Sequence, residues 1–99
     1  MAERERRILR LVGLRGTIDI LRHLDRHGTG QYTDFAQYAN VPTLNTRLKQ
    51  LLEFNLITHH LEKKELRKEW YELTEKGRKV LQSLEDIIIL VEILDTNLF

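Results

Sequence analysis

At 99 residues, 41% hydrophobic and 31% charged, the chain has the material for one globular core and too little for two. It contains no cysteine, which removes a disulfide framework, thiol sensing, a cysteine nucleophile and a zinc ribbon. The longest apolar run, Ile87 to Val91, is far shorter than the ~20 residues that span a bilayer, and the arginine-rich start lacks the apolar stretch of a secretory signal, so a cytoplasmic protein without membrane contact is expected. Formal charge is only +1, yet all 16 Lys and Arg precede residue 80: residues 1–79 carry a net +5 and residues 80–99 a net −4. One end is suited to an anion.

Residues 3–12, ERERRILRLV, read as a short basic helix with Ile8, Leu9, Leu11 and Val12 on its apolar side, interrupted by Gly13 and Gly16. TIDILRHLDRHG then spaces Ile18, Ile20, Leu21 and Leu24 at helical intervals, with Thr17 as cap and Gly28 as the stop. GTGQY is a loop with room for one very short strand. TDFAQYA follows as a brief third helix, with Thr33 to cap it and Asp34 in its first turn. Val41 precedes a proline and is pushed from the α region, while Pro42 suits a first helical position, so Asn40 and Val41 form a turn between two helices.

The helix predicted over 42–54 gathers Leu44, Leu48, Leu51 and Leu52 on one side and Thr43, Thr46, Lys49 and Gln50 opposite, with Asn45 and Arg47 at the boundary. Its polar side carries neutral hydrogen-bonding groups rather than the Glu and Lys of a merely solvated face. Asn55 then supplies the left-handed residue that closes the helix. Ile57, His59 and Leu61 alternate with polar neighbours, and EWYEL alternates again, which predicts two antiparallel strands. Their connection, 62–69, carries Lys63, Lys64, Arg67 and Lys68. Thr74 with Glu75 starts a last helix, 75–95, in which Val80, Leu84, Ile87, Val91 and Leu94 form a heptad-like seam. With Leu81, Ile88, Ile89, Leu90 and Ile93 added, its end is apolar nearly all round, more than one small domain can cover, and a partner surface is implied.

This order predicts a mainly α fold with a small β-hairpin (α+β), a winged helix-turn-helix with a long C-terminal dimerisation helix, as one domain over 1–99. A B-form major groove about 12 Å wide accepts one α-helix, and base edges are read by Arg, Lys, Asn, Gln, Ser or Thr. Thr43, Asn45, Thr46, Arg47, Lys49 and Gln50 provide that set. Lys63, Lys64, Arg67 and Lys68 would lie on phosphate or enter the minor groove, adding salt-dependent affinity. Plainer explanations exist for each feature: a solvated face, a charged turn that only protects a sheet edge, and packing of the last helix within its own domain. Their combination is more specific than any one.

His23 and His27 stand at i, i+4, but no third ligand at diagnostic spacing and no HExxH accompanies them, so no metal is expected. No GxGxxG, P-loop, GxSxG or evident carboxylate pair appears, and no cofactor or catalysis is expected.

YTDFAQYANVPTLNTRLKQLLEFNLITHH followed by WYELTEKGRKVLQSL resembles winged-helix transcriptional regulators of the HxlR and MarR type from bacteria and archaea, over about residues 8–88. The most specific piece is the strand-to-helix junction Tyr71 to Gly77, and IDILRHL is similar to the first core helix of the HxlR type. The resemblance implies a homodimer on double-stranded DNA, with Asn45, Thr46, Arg47 and Lys49 at DNA-facing positions of a recognition helix over 42–54 and a wing over 62–69. Two departures stand out: Asn55 replaces the usual glycine, and the tryptophan common near the start of the core helix is absent around Arg15 and Gly16. The expected function is that of a homodimeric repressor acting by occlusion, pairing through Val80, Leu84, Ile87, Ile88, Val91 and Leu94. A protein-interaction module and a non-sequence-specific architectural protein are the alternatives. Nothing in the residues indicates a small-molecule effector.

Overall fold

Leu11, Ile20, Leu21, Phe35, Leu44 and Leu51 come from four separate helices, and each is no more than 2% exposed. Burying a leucine-sized side chain contributes about 1.5–3 kcal/mol relative to leaving it in water, so this cluster is what makes short helices of marginal intrinsic stability persist. The computed structural model describes the backbone of residues 1–97 and the side chains of residues 1–93. The elements are α1 (Glu3–Gly13), α2 (Thr17–His27), α3 (Tyr32–Phe35), α4 (Val41–Glu53), β1 (Ile57–Lys63), β2 (Arg67–Leu73) and α5 (Glu75–Asn97). This is the winged helix-turn-helix expected from the sequence.

Several local details differ from expectation. Thr17 is the first residue of α2 rather than its cap: Gly16, at φ 88°, holds the cap position, and the Thr17 hydroxyl donates to Leu11 O at 2.7 Å. The hydroxyl thereby ties the end of α1 to the start of α2. Thr33 does not cap α3 either. Gln31 stands at that position, its N–H donating to Asp34 Oδ2 at 2.8 Å, and the helix ends at Phe35. Val41 is helical although it precedes Pro42. The pre-proline restriction is a preference, and it is outweighed here by the Asn40 cap, whose Oδ1 accepts from Thr43 N–H at 3.0 Å.

β1 and β2 pair antiparallel from Ile57↔Leu73 to Lys63↔Arg67, which leaves a connection of only Lys64, Glu65 and Leu66. Lys63, Arg67 and Lys68 therefore sit in strands, not in the turn, because Glu62 faces Lys68 across the ladder and opposite charges favour that register. The short strand allowed for in GTGQY is one bridge, Gly30 to Tyr71, with N···O distances of 3.0 and 2.7 Å.

The junction into α5 is tightly specified. Thr74 caps the helix by accepting from Gly77 N–H at 2.9 Å and donates its own hydroxyl to Asn55 O at 2.7 Å. Asn55, at φ 59°, takes the left-handed conformation that ends α4. Arg22 clasps Glu85 through Nε and Nη2 at 2.5 and 3.0 Å, and Arg78 meets Asp25 at 2.6 Å, so two ion pairs fasten α5 to α2. Past Glu85 the helix leaves the body, and the molecule measures 59 × 31 × 26 Å.

Candidate nucleic-acid interface

Leu44, Leu48 and Leu51 press α4 onto the core, and the opposite side is presented to solvent. Asn45, Thr46 and Lys49 are exposed there, while Thr43 and Gln50 are half-buried at one flank. The Tyr32 hydroxyl donates to Asn45 Oδ1 at 2.7 Å, which leaves the amide NH2 turned outward as a donor. Thr46 returns its hydroxyl to Pro42 O at 3.0 Å. Lys49 makes no ion pair among the described residues.

Arg47 requires a correction. Expected among the base-facing residues, it is only 9% exposed, with Nε donating to Arg15 O at 2.9 Å and Nη1 to Gln50 Oε1 at 3.0 Å. The reason is periodicity: position 47 follows Leu44 by three and precedes Leu51 by four, so it shares the inward stripe. Boundary position and arginine chemistry suggested an outward group, whereas the long side chain turns to a free carbonyl at the α1–α2 turn.

The hairpin presents Lys63, Lys64, Arg67 and Lys68, all exposed. Lys64 lies 3.4 Å from Glu62, and Arg67 lies 3.5 Å from Glu69, which also meets His59 at 2.6 Å. Such exposed pairs contribute little, and both cations remain available to an external anion. Leu66, which the sequence reading passed over, stands at the apex at 77% exposure. Near the wing base, burial pushes the Tyr71 hydroxyl above its ordinary range, with Glu69 adding to the effect, so it stays protonated where it packs on Phe35 and His59.

On α5, Val80 and Leu84 are half-buried against the core, while Ile87, Ile88 and Val91 are exposed; the Leu94 side chain lies outside the described residues. Ile8, Leu9 and Val12 of α1, not included in the expected interface, join Val80 and Leu84 in lining an open groove of about 530 Å³. The α1 contribution was visible as the apolar side of a basic helix, but nothing in the sequence brings that side to α5.

The rings of His23 and His27 lie tilted against each other with centroids 4.5 Å apart, and His23 Nδ1 is 3.0 Å from the Tyr38 hydroxyl. Among the described residues no group of three His, Cys, Asp or Glu is placed to hold a metal ion, and no helix is long and apolar enough to cross a membrane.

The model of the HxlR-like helix-turn-helix family matches residues 11–95. A comparison with curated protein sequences finds no match. Among solved structures, the reduced form of the transcriptional regulator YodB from B. subtilis aligns with a TM-score of 0.75 at 21% identity, over 90% of this chain and 89% of that one. A protein described as a transcriptional regulator of the MarR family from Enterococcus faecalis V583 aligns with a TM-score of 0.78 at 14% identity, over 98% and 92%. One described as an HTH-type transcriptional regulator, ytcD, gives 0.68 at 27% identity, over 98% and 96%. The two below 25% identity speak for the fold alone.

Proposed function

The chain belongs to the HxlR-like helix-turn-helix family, whose members are transcriptional regulators and not enzymes, and from that premise we propose that it is a homodimeric repressor of double-stranded DNA. In this reading α4 enters the major groove, where Asn45, Thr46 and Lys49 meet base edges and Thr43 and Gln50 meet the groove wall. Lys63, Lys64, Arg67 and Lys68 meet phosphate or the adjoining minor groove. The exposed apolar stretch of α5 pairs with its twin, assisted by the α1 side of the groove. Two-fold symmetry then sets the recognition helices ~34 Å apart on successive major grooves of a near-palindrome, and a dimer lying across that span excludes other proteins by occlusion.

The observation that supports this best is the exposed set Asn45, Thr46 and Lys49 on a helix whose opposite side is held by buried leucines. A face kept free of glutamate, except for Glu53 at its far end, is unlike an ordinary solvated surface. Titrating labelled duplexes, selected from a random pool, at several salt concentrations tests the proposal. Selected sites should bind more tightly than random duplex, with affinity falling steeply as salt rises. Absence of binding even at low salt would end it.

A further inference from the structure

Arg10 and Arg15 are exposed and make no ion pair or side-chain hydrogen bond among the described residues. Arg6 and Arg26 are likewise unpaired among the described residues, whereas Arg7 pairs with Glu53, Arg22 with Glu85, Arg67 with Glu69 and Arg78 with Asp25, and Arg4 and Arg7 lie over the Phe54 ring. What sets Arg10 and Arg15 apart is their position. Arg10 lines a cleft with Thr46, Arg47 and Gln50 of α4, and Glu3 is also in its lining. Arg15 lines the next cleft along, with Asn40 and Thr43. At ~100° per residue, positions 40, 43, 47 and 50 form one flank of α4, so Arg15 stands beside its first turn and Arg10 beside its middle.

A helix with side chains is about 10–12 Å across and the major groove about 12 Å wide, so a helix seated there is bordered on each flank by a phosphate strand. Cations on a neighbouring element along that flank are within reach of phosphates, not bases. We infer that Arg10 and Arg15 form a second, sequence-independent contact line for the DNA strand bordering the α1 flank of α4; this rests on the DNA-binding reading above. The Arg47 bond to Arg15 O fixes the turn that carries one of the two cations. Dimer contacts do not compete for this line. Ile8 and Val12 face the α5 groove, whereas Arg10, two residues from each, turns by 200° to the α4 side.

The test measures the full chain on a selected duplex and on a random duplex across a salt series, comparing wild type with Arg10→Ala, Arg15→Ala and the control Arg26→Ala, which removes the same charge from the cleft between α2 and α5. Each flank variant should lower the salt-dependence slope by about 0.9 per lost phosphate contact per subunit, equally for both duplexes, and lysine at either position should restore it. Slopes matching the control while wild type binds normally would overturn this contact line and leave the DNA reading standing. Loss confined to the selected duplex would also overturn it, since that marks base reading. A wild type that binds no duplex removes the DNA reading, and the contact line with it.

Discussion

Arg47 donates its Nε–H to the main-chain oxygen of Arg15 at 2.9 Å, across 32 positions of sequence. Arg47 is only 9% exposed as a residue, and burial of that extent favours engaged donors, because a buried unpaired cation is costly. The second bond, to Gln50 Oε1, keeps the fork aligned along α4. The residue thus acts as a strut between the α1–α2 turn and α4, setting how that helix is held.

Arg47→Ala should therefore destabilise the fold by about 1.5–3 kcal/mol, the usual loss for a hydrogen bond involving a charged donor. Affinity should fall by the same factor for selected and random duplexes, and the set of preferred sites should not change. Denaturant unfolding together with site selection checks both halves. A relaxed preference at one base pair would show that Arg47 leaves its carbonyl to read DNA.

What was legible in the sequence and what was not follow a physical pattern. Gly28, Asn55 and Thr74 were readable because each terminates or caps a helix through its own backbone or nearest turn. Leu44, Leu48 and Leu51 were readable because helical spacing fixes a face. Arg47 and Thr17 were misread for the opposite reason: their bonds run to Arg15 O and Leu11 O, carbonyls whose positions depend on how two helices pack. Tyr32 was missed likewise, since its partner Asn45 is 13 residues away. Charge alone marked Arg10 and Arg15 as basic but did not distinguish them from Arg7, which is spent on Glu53.

The Tyr32–Asn45 bond gives a prediction about specificity. With Oδ1 occupied, the Asn45 amide offers only its NH2 donors to a base edge. Tyr32→Phe frees the amide to turn over, so discrimination at the base pair it meets should drop by about 1–3 kcal/mol, the scale of one good base contact. Stability should change by no more than about 1 kcal/mol, since the bond is exposed. Competition between the selected site and single-base variants reads the effect. Unchanged preference would mean that Asn45 does not face a base.

At the α4–β1 turn, a Cβ on Gly77 would lie 2.0 Å from Leu56 O. The obstacle is a main-chain oxygen, already held by the Thr74 N–H at 3.1 Å, and cannot swing aside. Gly77→Ala should cost about 3 kcal/mol, the upper part of the overpacking range. Asn55→Gly, by contrast, should leave stability within about 1 kcal/mol, because glycine takes the left-handed φ without strain but loosens the unfolded chain. Denaturation midpoints of the two variants, measured together, distinguish a steric site from a conformational one.

The proposed pairing through α5 is tested at residues that do not support the subunit core. Ile87 and Val91 are 55% and 53% exposed and one helical turn apart, so charges placed there disturb only an intersubunit contact. Ile87→Asp with Val91→Asp should shift the solution mass from dimer to monomer while helical content stays near wild type. Affinity for a two-half-site duplex should fall by tenfold or more, since one-half-site binding forfeits the second subunit's contacts. A variant that remains dimeric would place the interface elsewhere.

His23 projects from α2 toward α3, its Nδ1 at 3.0 Å from the Tyr38 hydroxyl and its ring edge-on to Phe35. Burial is the main cause that lowers its pKa; the neighbouring His27 and Arg26 lower it further, and Asp34 opposes them. A base whose folded pKa lies below its unfolded value near 6.5 binds fewer protons when folded. The unfolded chain is then the better proton acceptor from about pH 6.5 down to the lowered folded value, and stability falls with acidification across that window. Once protonated, Nδ1 can only donate, so the Tyr38 hydroxyl must then accept from it. The melting temperature of the wild type should accordingly drop more between pH 7.5 and pH 5.5, ~1 unit either side of that value, than that of His23→Gln, which cannot titrate. Parallel declines in the two proteins would assign the acid sensitivity to other groups and leave the α2–α3 packing without a proton switch.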